Sequence, residues 1–261
     1  MKVMRNVIIN ELANLEKDKK IKILYAVESG RRAWGFESKD SDWDVRFIYV
    51  NHYDWYLSIN EKKDSIEKML PNDLDLSGWE LKKTLLLFRK SNPPLLEWLR
   101  SPIIYKEEFT TALQLRNAVS SYFNPKSCLY HYFHMANGNY ESYFKNEEVK
   151  LKKYFYVLRP ILACCWIEKN NEMPPMEFDL LLDAEISESN LKVEVNNLLF
   201  KKKNGDELKT GNRIKIIDDF IIEKLNYFKE YLAAYQFNHS INNDLLNTIF
   251  RNTLKEIWKN N

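Results

Sequence analysis

The segment from residue 28 to residue 49 reads ESGRRAWGFESKDSDWDVRFIY. An apolar stretch, IKILYAV, ends directly before it at residue 27, and a second apolar stretch, VRFIYV, occupies residues 45–50. Branched and aromatic side chains of this kind favour extended backbone, so the two stretches predict two β-strands. Asp42 and Asp44 stand immediately before the second strand. The segment therefore predicts a small sheet with a polar connection between two of its strands.

The spacing of the two aspartates suits a bound cation. Side chains two positions apart on a strand share a face, so the carboxylates of Asp42 and Asp44 would lie close together and repel each other. Mg²⁺ relieves this repulsion, because it prefers oxygen ligands. Gly30 follows the first strand, and a residue without a side chain lets backbone N–H groups approach a phosphate closely. The pattern predicts a site for a metal and a nucleoside triphosphate; the alternative is that the two aspartates only cap a turn.

The same segment resembles the polymerase-β-type nucleotidyltransferase superfamily, in its minimal form, at seven positions: Gly30, Arg32, Ala33, Gly35, Ser41, Asp42 and Asp44. More closely, the chain resembles a bacterial and phage family of predicted nucleotidyltransferases labelled as belonging to an RNA repair pathway. This likeness covers roughly residues 25–180. It is carried by ESGRRAWGF, SDWDVRFIYV, LDLSGWELKK, KSNPPLLEWLRSPIIY and LKKYFYVLRPILACCWI.

The resemblance implies transfer of a nucleoside monophosphate from a nucleoside triphosphate to an acceptor hydroxyl, with release of pyrophosphate. It also implies a third carboxylate on a neighbouring strand. We expect Asp75, with Asp73 on the same face as the main competitor and Glu80 as the third choice. Asp42, Asp44 and Asp75 would then be the catalytic residues and the ligands of Mg²⁺ or Mn²⁺.

By the same resemblance, the nucleotide's phosphates would lie near Gly30, Arg31, Arg32 and Ser41. For Arg32 the equal alternative is a structural ion pair. The helical part would contribute Lys152 or Lys153, whose alternative is a solvated helix face. Arg46 lies two positions after Asp44 and shares its face, so an ion pair with a metal-site aspartate is favoured over a phosphate contact.

Arg31 departs from the family pattern, which has Gly-Ser where this chain has Gly30-Arg31. Its guanidinium could pair with a phosphate or block the pocket. The alternative function is therefore a catalytically weak nucleotide-binding or regulatory module.

Beyond the motif, the pattern of residues changes near residue 107. Before it we predict an α+β architecture over residues 1–107: a small mixed sheet with flanking helices, which the resemblance implies is the nucleotidyltransferase fold. After it helical spacing dominates, which predicts an all-helical domain over residues 108–261. Individual predictions include weak strands at 55–59 and 65–70, a short strand at 73–77 ended by Gly78, and a helix at 149–168.

Composition narrows the class of protein. The 261 residues include 39 basic and 37 acidic side chains, so no global positive field indicates nucleic acid. Six glycines exclude collagen-like and linker-rich chains, and three cysteines do not form a disulfide framework. No signal peptide or membrane span is predicted, so we expect a cytoplasmic protein with no membrane partner. The acceptor stays open between tRNA or other RNA, a protein and a small molecule.

Overall fold

The apolar stretches on either side of the quoted segment pair with each other at the centre of a mixed sheet. The computed structural model describes residues 2–38, 41–187, 189–203, 210–237 and 243–259. Within that part of the chain the larger sheet has five strands, in the order β3-β4-β2-β1-β5. Among the adjacent strands of this sheet, β2 and β4 run parallel to each other, and the other three pairs are antiparallel. The strands are β1 (Lys22–Glu28), β2 (Trp43–Val50), β3 (Ser65–Leu70), β4 (Leu74–Glu80) and β5 (Ile104–Glu107).

Helices flank this sheet, which confirms the predicted α+β class. The first, α1, places Ile8, Leu12 and Leu15 in one core with strand residues such as Val45 and Leu76. The spacing of its three buried residues is that of one helix face. The helices up to residue 122 are α1 (Lys2–Lys19), α2 (Gly30–Ala33), α3 (Tyr53–Tyr56), α4 (Leu81–Arg89), α5 (Pro93–Trp98) and α6 (Thr111–Tyr122).

Two short predictions in this region need correction. Residues 55–59 are not a strand: Tyr53–Tyr56 forms α3, and the apolar residues that suggested a strand, including Leu57 and Ile59, are exposed. Gly78 does not end its strand, because β4 continues through it to Glu80. Gly78 pairs with Phe47 of β2, and a Cβ at position 78 would come within 2.1 Å of the Phe47 ring. The glycine makes room for an aromatic ring on the neighbouring strand.

The chain divides into two compact units. Unit 1 comprises residues 1–33, 42–122 and 240–261, and unit 2 comprises residues 34–41 and 123–239. The C-terminal helix, α12, therefore belongs with the sheet, where it contacts α4 and α6. The division into domains at residues 1–107 and 108–261 stays a prediction.

Unit 2 is built mainly of helices around an apolar core. Phe36, from the short segment 34–41, lies fully buried there and stacks on Phe155 at 5.3 Å between ring centroids. A two-stranded antiparallel sheet adds to the helices. The elements after residue 122 are α7 (Pro125–Tyr143), β6 (Glu148–Lys150), α8 (Tyr154–Asn170), α9 (Phe178–Glu185), α10 (Asn190–Lys203), β7 (Thr210–Asn212), α11 (Lys215–Ala234) and, in unit 1, α12 (Asn243–Ile257).

The helix predicted at residues 149–168 begins later than expected. Residues 148–150 form β6, Leu151–Lys153 forms one 3-10 turn, and α8 starts at Tyr154. Val149 is buried between exposed neighbours, a strand pattern that the following helical spacing hid. None of the helices traced in the described residues is long and apolar enough to cross a membrane.

Candidate active site

The sheet topology brings the motif residues of unit 1 to one end of three adjacent strands. Strand β1 runs antiparallel to β2, so the end of β1 meets the start of β2, and Glu28 pairs with Val45. Strands β2 and β4 are parallel, so their starts coincide, and Asp44 pairs with Asp75. The turn at Gly30 and the carboxylates therefore share one edge of the sheet.

Asp44 and Asp75 lie side by side, and Arg46 joins them. The Arg46 Nη2 atom is 3.0 Å from Asp44 Oδ1 and 2.9 Å from Asp75 Oδ2. Its Nη1 atom donates to the backbone carbonyls of Val45 and Asp75 at 3.2 and 3.3 Å. These side chains are 19% to 30% exposed, so water screens their charges less than at an open surface. The predicted pairing of Arg46 with an aspartate of the motif is confirmed.

Asp42 is held by the arginine that departs from the family pattern. Arg31 Nη2 lies 2.9 Å from Asp42 Oδ2, and the Asp42 side chain is 53% exposed. Arg32 donates from Nε to the Asp42 carbonyl at 3.1 Å, and its guanidinium lies 3.7 Å from the centre of the Trp43 ring. Both arginines thus fix the segment just before β2.

Gly30 is packed against Asp44. It begins α2 with φ +59°, a backbone conformation that side chains other than glycine's disfavour. A Cβ there would lie 2.3 Å from Asp44 Oδ2, which is closer than two non-bonded atoms can approach. The preceding residue, Ser29, donates its N–H to the Asp44 carbonyl at 2.8 Å. The turn therefore needs glycine both for its φ angle and for the carboxylate that it touches.

Glu28 is a buried residue of this region that the sequence reasoning missed. Its carboxylate accepts the Asp44 backbone N–H at 2.9 Å and a hydrogen bond from the Tyr105 hydroxyl. Burial disfavours the charged form and raises the pKa of Glu28 to about 7. Strand β1 is buried at every position after Lys22, so an acid at its last position had to be buried as well. That continuous apolar run was the signal available.

The other two candidates for a third carboxylate have different positions. Asp73 is exposed, lies in the turn before β4 with φ +52°, and accepts the Trp43 N–H at its carbonyl. The prediction that it lies in the strand is therefore wrong. Glu80 is buried at the far end of β4, where it caps α4 by accepting the N–H groups of Lys82 and Lys83. Asp75 is the candidate that stands beside Asp44.

The remaining predicted residues belong to unit 2. Ser41 is buried, and its Oγ accepts the Ser38 N–H at 2.9 Å. Lys152 and Lys153 lie in the 3-10 turn before α8 rather than within a helix. The ammonium of Lys153 is 3.8 Å from the centre of the Tyr143 ring. The structure thus gathers Asp42, Asp44, Asp75, Gly30, Arg31 and Arg32 in unit 1 and places Ser41, Lys152 and Lys153 in unit 2.

The donor chemistry of the three aspartates fits a hard divalent cation, because all three offer carboxylate oxygens. Within the described ranges, however, no group of three or more His, Cys, Asp or Glu side chains is arranged to hold a metal ion. In this arrangement the positive charge beside each carboxylate comes from arginine: Arg31 at Asp42, and Arg46 at Asp44 and Asp75. A metal would have to share or replace those contacts.

Comparison with known families identifies the class of protein. The model of the RlaP family, described as an RNA repair pathway DNA polymerase beta family, matches residues 4–252. The chain belongs to this family. A relative from Bacillus subtilis (strain 168), described as the uncharacterized protein YcgL, is 50% identical over 256 residues, and the match covers 98% of each chain. The family assignment confirms the resemblance to polymerase-β-type nucleotidyltransferases.

A solved structure of a nucleotidyltransferase-like protein from Exiguobacterium sibiricum 255-15 was also matched. It is 11% identical, with 96% of this chain and 90% of that chain covered and a TM-score of 0.29.

Proposed function

We propose that this RlaP-family chain transfers a nucleoside monophosphate from a nucleoside triphosphate to an acceptor hydroxyl and releases pyrophosphate. The observation that carries the proposal is the strand register, which sets Asp44 beside Asp75 at the edge where Gly30 turns. Carboxylates on neighbouring strands beside a glycine turn suit metal-assisted phosphoryl transfer. The family assignment supports the same class of reaction.

In the proposed reaction, the acceptor oxygen attacks the α-phosphorus and forms a new phosphodiester bond. The bond from the α-phosphorus to the bridging oxygen breaks, pyrophosphate leaves, and the hydroxyl proton passes to water. Asp42, Asp44 and Asp75 would hold Mg²⁺ or Mn²⁺, which supplies positive charge for the triphosphate and lowers the pKa of the acceptor hydroxyl. Asp75 would favour loss of that proton through the metal that it would hold beside the acceptor hydroxyl.

The arginines and the turn would bind the phosphates. Arg31 and Arg32 carry guanidinium groups at the segment before β2, and such groups form strong, paired hydrogen bonds with phosphate oxygens. Backbone N–H groups of the Gly30 turn would add further donors. The roles of Ser41, Lys152 and Lys153, which belong to unit 2, stay predictions from the resemblance. The proposed acceptor is an RNA end, which the family description supports.

A second function is favoured by one specific contact. Arg31 replaces the serine of the family pattern, and its guanidinium pairs with Asp42 at 2.9 Å. If that pair persists when nucleotide binds, it withholds one carboxylate from the metal. The chain would then be a catalytically weak nucleotide-binding or regulatory module.

Transfer of the α-phosphate label from each of the four nucleoside triphosphates tests the proposal. We expect wild-type protein with Mg²⁺ or Mn²⁺ to label bulk RNA, and the Asp42→Ala/Asp44→Ala double variant to lose at least about a hundredfold in rate. The matched control is Asp54→Ala/Asp64→Ala, which removes two carboxylates of the same unit whose side chains are 91% and 50% exposed. Equal labelling by wild type and the Asp42/Asp44 variant would refute the proposed enzyme, and labelling that appears only in Arg31→Ser would favour the module.

A further inference from the structure

The arrangement around Arg46 differs from that of the other ion pairs in unit 1. Arg31 and Arg116 each pair with the side chain of one carboxylate. A single nitrogen of Arg46 contacts the carboxylates of both Asp44 and Asp75, and its second terminal nitrogen is fixed by two backbone carbonyls. The two terminal nitrogens of the guanidinium thus make four polar contacts with groups of β2 and β4.

The parallel register explains why a cation is needed at this place. Asp44 and Asp75 are direct partners on neighbouring strands, where backbones lie about 4.8 Å apart. Two carboxylates so placed repel each other, and both are less than one-third exposed. Arg46 is two positions beyond Asp44 on the same face, so its side chain reaches back over both carboxylates.

We propose that Arg46 is the resident counterion of the Asp44–Asp75 pair and that it competes with the divalent metal for these two carboxylates. This inference rests on the proposed function, which assigns the metal to Asp42, Asp44 and Asp75. In the metal-free protein Arg46 keeps the two strand starts together. When the metal binds, Arg46 gives up at least one carboxylate contact, which weakens the apparent affinity for metal. Arg46 is a positioning residue, because it acts through the two aspartates.

The consequence is a pair of opposite effects in one variant. Arg46→Met removes the charge but keeps an apolar side chain, so the two carboxylates are left uncompensated. The metal-free protein should melt at a lower temperature. The same uncompensated carboxylates should bind Mn²⁺ more tightly, and the rise in melting temperature on adding Mn²⁺ should exceed that of wild type.

Mn²⁺ titration, followed by calorimetry and by the electron paramagnetic resonance signal of free Mn²⁺, measures this competition without any activity. We expect the dissociation constant to fall about tenfold in Arg46→Met and to stay near the wild-type value in Arg46→Lys, which retains the charge. Arg116→Met is the matched control: it breaks the pair with Glu107, whose partners are 30% and 28% exposed, and should leave the Mn²⁺ affinity unchanged. Arg46→Gln, uncharged but able to hydrogen bond, replaces Arg46→Met if the latter does not fold.

The outcomes separate the two claims. If wild type binds Mn²⁺, Asp44→Asn abolishes that binding, and the folded uncharged Arg46 variant has wild-type affinity, the competition is refuted while the proposed metal site stands. If neither wild type nor the Arg46 variants bind Mn²⁺ in a way that depends on Asp44, the proposed function loses its metal site and the inference fails with it.

Discussion

Gly30 has no room for a side chain. Its φ angle of +59° and the 2.3 Å that would separate a Cβ atom from Asp44 Oδ2 act together, whereas Gly35 has φ +77° and nothing within 4 Å of such an atom. The two glycines therefore separate the cost of backbone conformation from the cost of contact with Asp44. Asp44 could retreat from a new methyl group only by disturbing its pair with Arg46.

We expect Gly30→Ala to lower the free energy of unfolding by about 2–4 kcal/mol and Gly35→Ala by only about 1 kcal/mol. Denaturant unfolding followed by circular dichroism measures both. A Gly30→Ala/Asp44→Ala double variant should recover part of the loss, since the contact is gone. Equal costs for the two single variants would show that Asp44 does not restrict position 30.

At the residue scale, sequence reasoning succeeded where spacing determines geometry. The pairing of Arg46 with Asp44 could be predicted because the two residues stand two positions apart, and the structure contains that ion pair. The grouping of Asp42 with Asp44 around a metal stays a prediction. Glu28 could not be predicted in the same way, because its role depends on Tyr105, which reaches it from β5 far along the chain. The separation of Asp73 from Asp75 depends on a turn with two consecutive positive φ angles, at Asn72 and Asp73, that no local pattern announced.

At the element scale, β4 shows how a neighbouring strand changes the meaning of a residue. Glycine often weakens or ends a strand, so the sequence alone predicted that the strand ends at Gly78. The Phe47 ring of β2 occupies the space over Gly78, so glycine is what allows the two strands to pair through that point. Two more paired positions then extend β4 to Glu80, which caps α4.

Glu80 links the end of β4 to α4 and should make stability depend on pH. Burial raises the pKa of its carboxyl above the ordinary value of 4.5, although the Tyr56 hydroxyl and the backbone N–H groups of Lys82 and Lys83 favour the charged form. The folded protein therefore holds this proton to a higher pH than the unfolded chain does. The stabilisation from Glu80 is complete below about pH 4.5 and is lost as the pH rises through the folded-state pKa.

We expect Glu80→Gln, which cannot ionise, to gain stability relative to wild type as the pH rises from about 4 to about 8. The measurement is the difference in unfolding free energy between the two proteins across that range. Glu67→Gln, an exposed glutamate on β3, is the control and should show no such trend. A difference that is flat, or that falls with increasing pH, would contradict the raised pKa.

At the scale of the whole molecule, the sequence predicted the α+β class because alternating and continuous apolar runs mark strands while helical spacing marks the remainder. It did not predict that the early segment 34–41 would belong to unit 2. Nor did it predict that the C-terminal helix α12 would belong to unit 1. Those assignments come from long-range packing, as in the burial of Phe36 against Phe155 and Phe178. Local sequence patterns do not identify packing partners that are distant in the chain.

The proposed function depends above all on whether the carboxylates at the starts of β2 and β4 hold the metal of a nucleotidyl-transfer site. Anomalous diffraction at the manganese edge decides this, from crystals grown with Mn²⁺ and a nucleoside triphosphate analogue that cannot be cleaved at the α-phosphate. We expect a manganese peak coordinated by Asp42 and Asp44, with the α-phosphate beside it and Arg46 withdrawn from at least one aspartate. A manganese peak on the triphosphate with no contact to Asp42, Asp44 or Asp75, or a nucleotide bound away from the Gly30 turn, would contradict the proposal.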